Sequence, residues 1–138
     1  MEAADVIAVI AVQNAYGVAI DRRDWAALRE CFTSDAEFMK FGRPPRRGSV
    51  DEFIEWAPAF HADFSRTLHQ MTTHQVSIHG DAATGSCYLH AVLVDSARRT
   101  AESVFGRYAD ELVRDRSGWR IRRRKFDATW WHVTTATS

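Results

Sequence analysis

Val6, Val9, Ile10, Gln13, Tyr16, Gly17 and Ile20 recur at steps of three and four, which places them on one face of a helix running to about residue 20. Gln13 and Tyr16 put polar atoms on that inward face, where buried polar groups normally find partners or a ligand. Asp21 then falls at the C-terminal end of the same helix, where the helix dipole favours cations. Its position calls for local capping chemistry or a task inside the fold. Asp24 suits the cap of a second helix, Trp25 to about Phe32, with Trp25, Leu28 and Phe32 on one side. Thr33, Ser34 and Asp35 read as a turn into a short strand, Ala36 to Phe41. Gly42 to Ser49 reads as a loop, because Pro44 and Pro45 oppose regular structure. Ser49 and Glu52 form a capping box for a third helix that turns Phe53, Ile54, Trp56 and Ala57 inward. Pro58 should kink or end that helix, with a restart through Phe60.

From about Arg66 the period falls to two. Leu68 to Ile78, Ala83 to Val94, Ala101 to Val113 and Trp119 to Val133 are strands, separated by turn-forming segments at 79–81, 95–99 and 114–118. Four long antiparallel strands in a meander after three helices predict a single α+β domain over 1–138, with the helices on one face of a curved antiparallel sheet.

Composition narrows the function classes. The 18 basic residues balance the 18 acidic ones, so nucleic acid and anionic membrane are not expected partners. Five Trp and eight Phe suit a deep apolar core, or a core with a pocket in it. Cys31 and Cys87 have neither CxxC nor zinc spacing and do not make a disulfide framework, which is consistent with a reduced, cytoplasmic setting. Acidic residues precede the N-terminal apolar run, unlike a signal peptide, and no stretch is expected to reach the roughly 18 apolar residues of a membrane span.

The candidate chemistry centres on His69 and Asp21. An imidazole exchanges its proton near neutral pH, and a carboxylate on its second nitrogen sets the tautomer and stabilises the charged ring. With Gly80 and Asp81 as turn residues, 79 faces 82 and 71 faces 90, so His69 and His90 become diagonal neighbours on one face. His74 then points to the other face, opposite Cys87, unless a bulge intervenes. No His and carboxylate set has metal-ligand spacing, so neither metal nor cofactor is expected. Along Arg120 to Lys125, Trp119, Ile121 and Arg123 share the inner face, while Arg120, Arg122 and Arg124 share a solvated one near Asp110 and Glu111. Arg123 therefore holds an anionic substrate group or bridges to an internal carboxylate. Gln13 is read as a core amide. Trp25, Trp56, Phe60 and Met71 lie at core periods, as packing or as pocket lining; Trp25, Met71, His90 and Arg123 are the candidate substrate-binding residues. Trp130, Trp131 and His132 suit a pocket mouth or a subunit contact.

The motifs Y-x-x-x-x-D-R-x-D-W (Tyr16 to Trp25), T-x-H (Thr67 to His69), G-D-x-A (Gly80 to Ala83) and G-R-Y-x-D-E-L followed by G-W-R-I (from Gly106 and Gly118) span most of the chain. Together they resemble the SnoaL-like branch of the nuclear-transport-factor-2-like superfamily, which includes polyketide cyclases, scytalone dehydratase, bile-acid 7α-dehydratase and hexachlorocyclohexane dehydrochlorinase. The resemblance implies a cone-shaped α+β barrel and, in its lyase members, a His base oriented by an Asp. Here these would be His69 and Asp21, which lie 48 residues apart (69 minus 21). Tyr16 resembles the tyrosine that polarises a substrate carbonyl, and His90 a second histidine on the next strand. The acid/base aspartate of the cyclases has no clear counterpart, which favours elimination over cyclisation. The expectation is a cofactor-free lyase of small hydrophobic, commonly cyclic substrates, working as a homodimer or homotrimer. Its alternatives are a cyclase or isomerase on the same fold, or a non-catalytic binding or assembly module.

Overall fold

The computed structural model describes residues 2–136. Helices α1 (Glu2–Asp21) and α2 (Trp25–Glu30) are followed by β1 (Phe32–Phe41), β2 (Arg46–Ser49) and α3 (Val50–His61). Four long strands complete the chain: β3 (Arg66–His79), β4 (Ala82–Asp95), β5 (Thr100–Asp115) and β6 (Gly118–Thr135). The strands form one sheet in the order β2-β1-β6-β5-β4-β3. The helices cover its inner face and the α+β class holds.

The sheet is mixed, not purely antiparallel, because β1 runs parallel to β6 while every other neighbour is antiparallel. Among the described residues β2 and β3 are its edges, so the sheet is open and not a closed barrel. Two local expectations also change. The segment expected to be all loop contains β2, because the prolines end at Pro45 and the next four residues are free to pair with β1 (Glu37 with Ser49, Phe38 with Gly48). β1 begins at Phe32, directly after α2, and Thr33, Ser34 and Asp35 belong to it. The Ser49–Glu52 capping box is present, but α3 continues through Pro58 to His61. Proline costs the helix one N–H donor, while Phe53 and Ala57 are buried on either side of the missing bond and hold the helix on the core.

α1 is apolar and long enough to cross a bilayer by length and composition, contrary to expectation. It lies on the sheet instead, chiefly against β3. Gly17 sets that approach: a Cβ there would meet Met71 Cε at 2.9 Å and His69 Cβ at 3.1 Å. The absent side chain lets the last turn of the helix close on the first half of β3.

Bulges decide which side chains face inward. The β3–β4 hairpin begins in the predicted register (His79 with Ala82) but slips between Thr72 and Gln75, where Thr73 takes φ 54°. Beyond the slip, Gln70 and not Met71 faces His90, and His69 pairs with Ala91. The slip also brings His74 onto the same inner face as His69. In β6 one residue is added between Ile121 and Arg123 opposite the Glu111–Leu112 step. This reverses the alternation downstream, so that Arg124 is fully buried and Arg123 is exposed.

Candidate active site

Asp21 leaves α1 opposite β3 and meets three donors. The His69 ring donates from Nδ1 to Oδ1 at 2.7 Å, the His69 backbone N–H donates to Oδ2 at 2.8 Å, and the Thr67 hydroxyl donates to Oδ1 at 2.9 Å. Burial pushes the carboxyl upward in pKa, but these donors, the His69 ring first, bring it below its ordinary value. A carboxylate can only accept, so Nδ1 of His69 carries a proton, and in the neutral form of the ring the lone pair lies on Nε2. The aspartate that sits badly at a helix C-terminus is thus occupied by the sheet. Arg23 supplies the expected cation in its place. Held at φ 57°, it donates to Ile20 O at 2.8 Å, to Thr67 Oγ1 at 2.8 Å and to Phe64 O at 3.1 Å.

His69 is enclosed, with 6% of its side chain exposed, and it borders a hollow of about 60 Å³ between α1, α3 and the sheet. Phe38, Phe53, Leu89 and Leu93 form its deep wall, and Trp56, Phe60, Phe126 and Trp131 its outer one. Its polar groups are Tyr16, Tyr108, His61 and His69. The Tyr108 hydroxyl donates to the Tyr16 hydroxyl at 3.4 Å, which leaves the Tyr16 proton free for another acceptor. Burial raises the pKa of both phenols, so they are neutral O–H donors. A second depression of about 220 Å³ lies on the other side of Phe41, Phe126 and Trp131. Trp131 stands between the two, with its Nε1 donating to Glu102 at 2.7 Å and the Arg43 guanidinium 5.0 Å from its ring centroid.

The other expected residues fall elsewhere. His90 faces outward and stacks on Phe105 at 4.2 Å, because the β3 slip breaks its diagonal relation to His69. Met71 packs beneath Gly17, and Trp25 lies against the His61 ring at 5.9 Å; neither lines the hollow. Arg123 faces out and pairs with Glu111 at 3.5 Å, so the internal role read for it belongs to its neighbour. Arg124 is fully buried and holds Asp110 through two hydrogen bonds of 2.7 Å, with its guanidinium 4.3 Å from the Tyr16 ring and 4.0 Å from the Tyr108 ring. Gln13 extends this network, donating to Asp110 at 3.0 Å and accepting from His74 Nδ1 at 2.8 Å. The core-amide reading of Gln13 omitted these side-chain partners. Cys31 and Cys87 are buried thiols pushed up to about 11, unsuited to nucleophilic work.

The sequence reading missed His61, Tyr108 and the Asp110–Arg124 pair. His61 is 4% exposed and donates from Nδ1 to Ala57 O at 2.7 Å; burial depresses its pKa to about 4. Its position at the end of an amphipathic helix was the available signal. Tyr108 lies within the G-R-Y-x-D-E-L motif, but its partner in space, Tyr16, is 92 positions away.

Nothing among the curated proteins matches this chain. A candidate aromatic ring hydroxylase from Novosphingobium aromaticivorans shares 28% identity at a TM-score of 0.84, over 94% of this chain and 93% of that one. A candidate scytalone dehydratase from the same organism shares 17% identity at 0.84, over 99% and 91%. The hexachlorocyclohexane dehydrochlorinase LinA type 3 of Novosphingobium barchaimii shares 13% at 0.81, over 99% and 94%. At these last two identities the likeness is one of fold. The profile of the SnoaL-like domain matches residues 1–125, and the chain belongs to the SnoaL-like domain family, with a nuclear-transport-factor-2-like fold.

Proposed function

We propose that this protein is a cofactor-independent lyase that carries out a dehydratase-type β-elimination on a small hydrophobic ring compound. The observation that carries this reading is the 2.7 Å contact between Asp21 and His69 beside an aromatic-walled hollow. In the proposed step, His69 Nε2 takes a proton from a carbon next to a carbonyl. The electron pair of that C–H bond becomes the new double bond as the β C–O bond breaks, and the departing hydroxide takes back the proton that His69 Nε2 received, leaving as water and returning the imidazole to its neutral form. Asp21 balances the imidazolium, and the Tyr16 hydroxyl meets the negative charge that develops on the carbonyl oxygen. Aromatic and aliphatic side chains make up most of the hollow's wall, and that apolar surrounding strengthens both effects.

The resting hollow is small, so a ring substrate is admitted by movement of the Trp131 wall, which would join it to the outer depression. Among the described residues the hollow's lining contains no carboxylate, and Asp110 is engaged by Arg124; both observations favour elimination over a cyclase or isomerase using another acid. The small volume of the resting hollow, about 60 Å³, favours, as a second reading, a non-catalytic binding or assembly module. A homo-oligomer, dimer or trimer, is proposed through the outer sheet face, where Leu68, Tyr88, Phe105 and Trp130 are exposed.

The test is a panel of cyclic β-hydroxyketones followed by enone absorbance. Turnover by the native protein that falls about 10²–10⁴-fold in both Asp21→Asn and His69→Gln supports the lyase. Full activity in both variants refutes the dyad, and absence of turnover across the panel supports the binding module.

A further inference from the structure

Two imidazoles border the hollow, and the lyase reading uses one. His61 comes from the last turn of α3, and its ring centroid lies 5.9 Å from that of His69. Because the partner of its Nδ1 is a backbone carbonyl, which can only accept, Nδ1 holds the proton and the neutral ring keeps a lone pair on Nε2. Among the described residues nothing donates a hydrogen bond to that Nε2. The ring is enclosed by Trp25, Trp56 and Phe60, at centroid distances of 5.9, 6.2 and 5.0 Å, and apolar groups of that kind cannot satisfy it. Among the described residues the fully buried side-chain atoms without a partner are guanidinium nitrogens of Arg29 and Arg124, so Nε2 is not sealed: it keeps open space beside it, and His61 lines the hollow. An acceptor presented to an apolar-walled space has a place for a donor, where a phenyl or isobutyl group would offer none.

We propose that His61 Nε2 is a fixed hydrogen-bond acceptor that makes this site selective for substrates carrying a hydroxyl or N–H donor close to the carbon from which His69 takes its proton. The tautomer is held by the backbone of the helix itself, so the acceptor keeps its sense as the pocket opens and closes. The division of labour is then complete. Tyr16 offers a donor to the substrate's carbonyl oxygen, and the two imidazoles offer lone pairs, one for the departing proton and one for a hydroxyl that stays. A site built around a substrate hydroxyl rejects the analogue that lacks it far more strongly than an apolar pocket rejects a methylene.

This inference rests on the proposed function for the role of His69, but its test needs no turnover and so stands apart from the lyase assay. Phenol and toluene, two single rings of closely similar shape, are titrated into the native protein. The side-chain nitrogens of His61 and His69 are followed by long-range ¹H–¹⁵N NMR. The expected result is phenol binding about 10- to 100-fold tighter than toluene, with an upfield shift of the His61 Nε2 resonance that toluene does not produce. In His61→Phe the preference should vanish while toluene affinity is kept. Equal affinity of the native protein for the two rings overturns the proposal. So does a His61 Nε2 signal unmoved by phenol, or a preference that survives in His61→Phe and disappears only in His69→Phe. If His61→Phe does not fold, the nitrogen shift in the native protein decides alone.

Discussion

His61 couples the site to pH through its own stability. In the folded chain burial holds its pKa at about 4, against about 6.5 for an exposed imidazole, with His69 and Arg23 opposing its charge and Asp21 favouring it. A depressed histidine binds its proton more readily in the unfolded chain, so its contribution is present above about pH 6.5 and is lost as pH falls toward 4. The full shift corresponds to roughly 3 kcal/mol. Urea midpoints measured from pH 7 to 4 should fall in the native protein and should be much flatter in His61→Phe. Asp21 acts below this window. Its carboxyl pKa is lowered overall, so its stabilisation is present above the ordinary aspartate value near 3.8 and disappears as pH drops through the folded one. Asp21→Asn should therefore remove the most acidic part of the transition and leave the His61 part in place. Both groups act through short contacts to named partners, and both titrations are local.

At the scale of elements, Gly17 and the two bulges determine which residues meet. A Cβ at residue 17 falls 3.1 Å from His69 Cβ, so a branched side chain must push α1 off β3 or displace the histidine. Gly17→Val should cost about 1–3 kcal/mol in chemical denaturation, with a larger proportional loss of activity because Asp21 sits one turn further along the displaced helix. The β6 bulge turns Arg124 into the core, where its charge is tolerable only against Asp110. Asp110→Asn leaves that guanidinium uncompensated and should cost about 3–5 kcal/mol in urea denaturation. Replacing both partners with apolar residues should cost markedly less, and this difference between the single and double variants is the check. If the single change were as mild as the double one, the pair would not be the support of the Tyr16 and Tyr108 rings described above.

At the scale of the molecule, the proposed routes of substrate access and of self-association lie on opposite sheet faces. On the inner face, Trp131 divides a hollow of about 60 Å³ from a depression of about 220 Å³. Trp131→Ala should merge them and admit two-ring ligands: naphthalene binding, read by calorimetry, should tighten by at least about tenfold. Unchanged binding would place the entrance elsewhere. On the outer face, the row Gln70, His90, Phe105 and Trp130 crosses four strands, with the stacked His90–Phe105 pair at its centre. Phe105→Glu puts a charge in the middle of that row and should shift the sedimentation coefficient toward the monomer without altering probe binding in the hollow.

How much of this was legible in the residues follows from the range of the forces involved. Periodicity is local, so the helix ending in Asp21, the capping box at Ser49 and the long strands could be read directly; the pairing of Asp21 with His69, 48 residues apart, came only from the likeness of the motifs to a known family. A bulge is one extra residue with little trace in an alternating pattern, and after it every side chain changes face. That is why His90 and Arg123 were assigned to the interior and Arg124 to solvent. The parallel β1–β6 contact, the Tyr16–Tyr108 pair and the enclosure of His61 by three elements depend on segments brought together only when the sheet forms. The chain by itself determined which chemical groups are available and on which elements they ride. The tertiary structure decided which of them share a hollow, because burial and register, not composition, choose the partners of a polar atom.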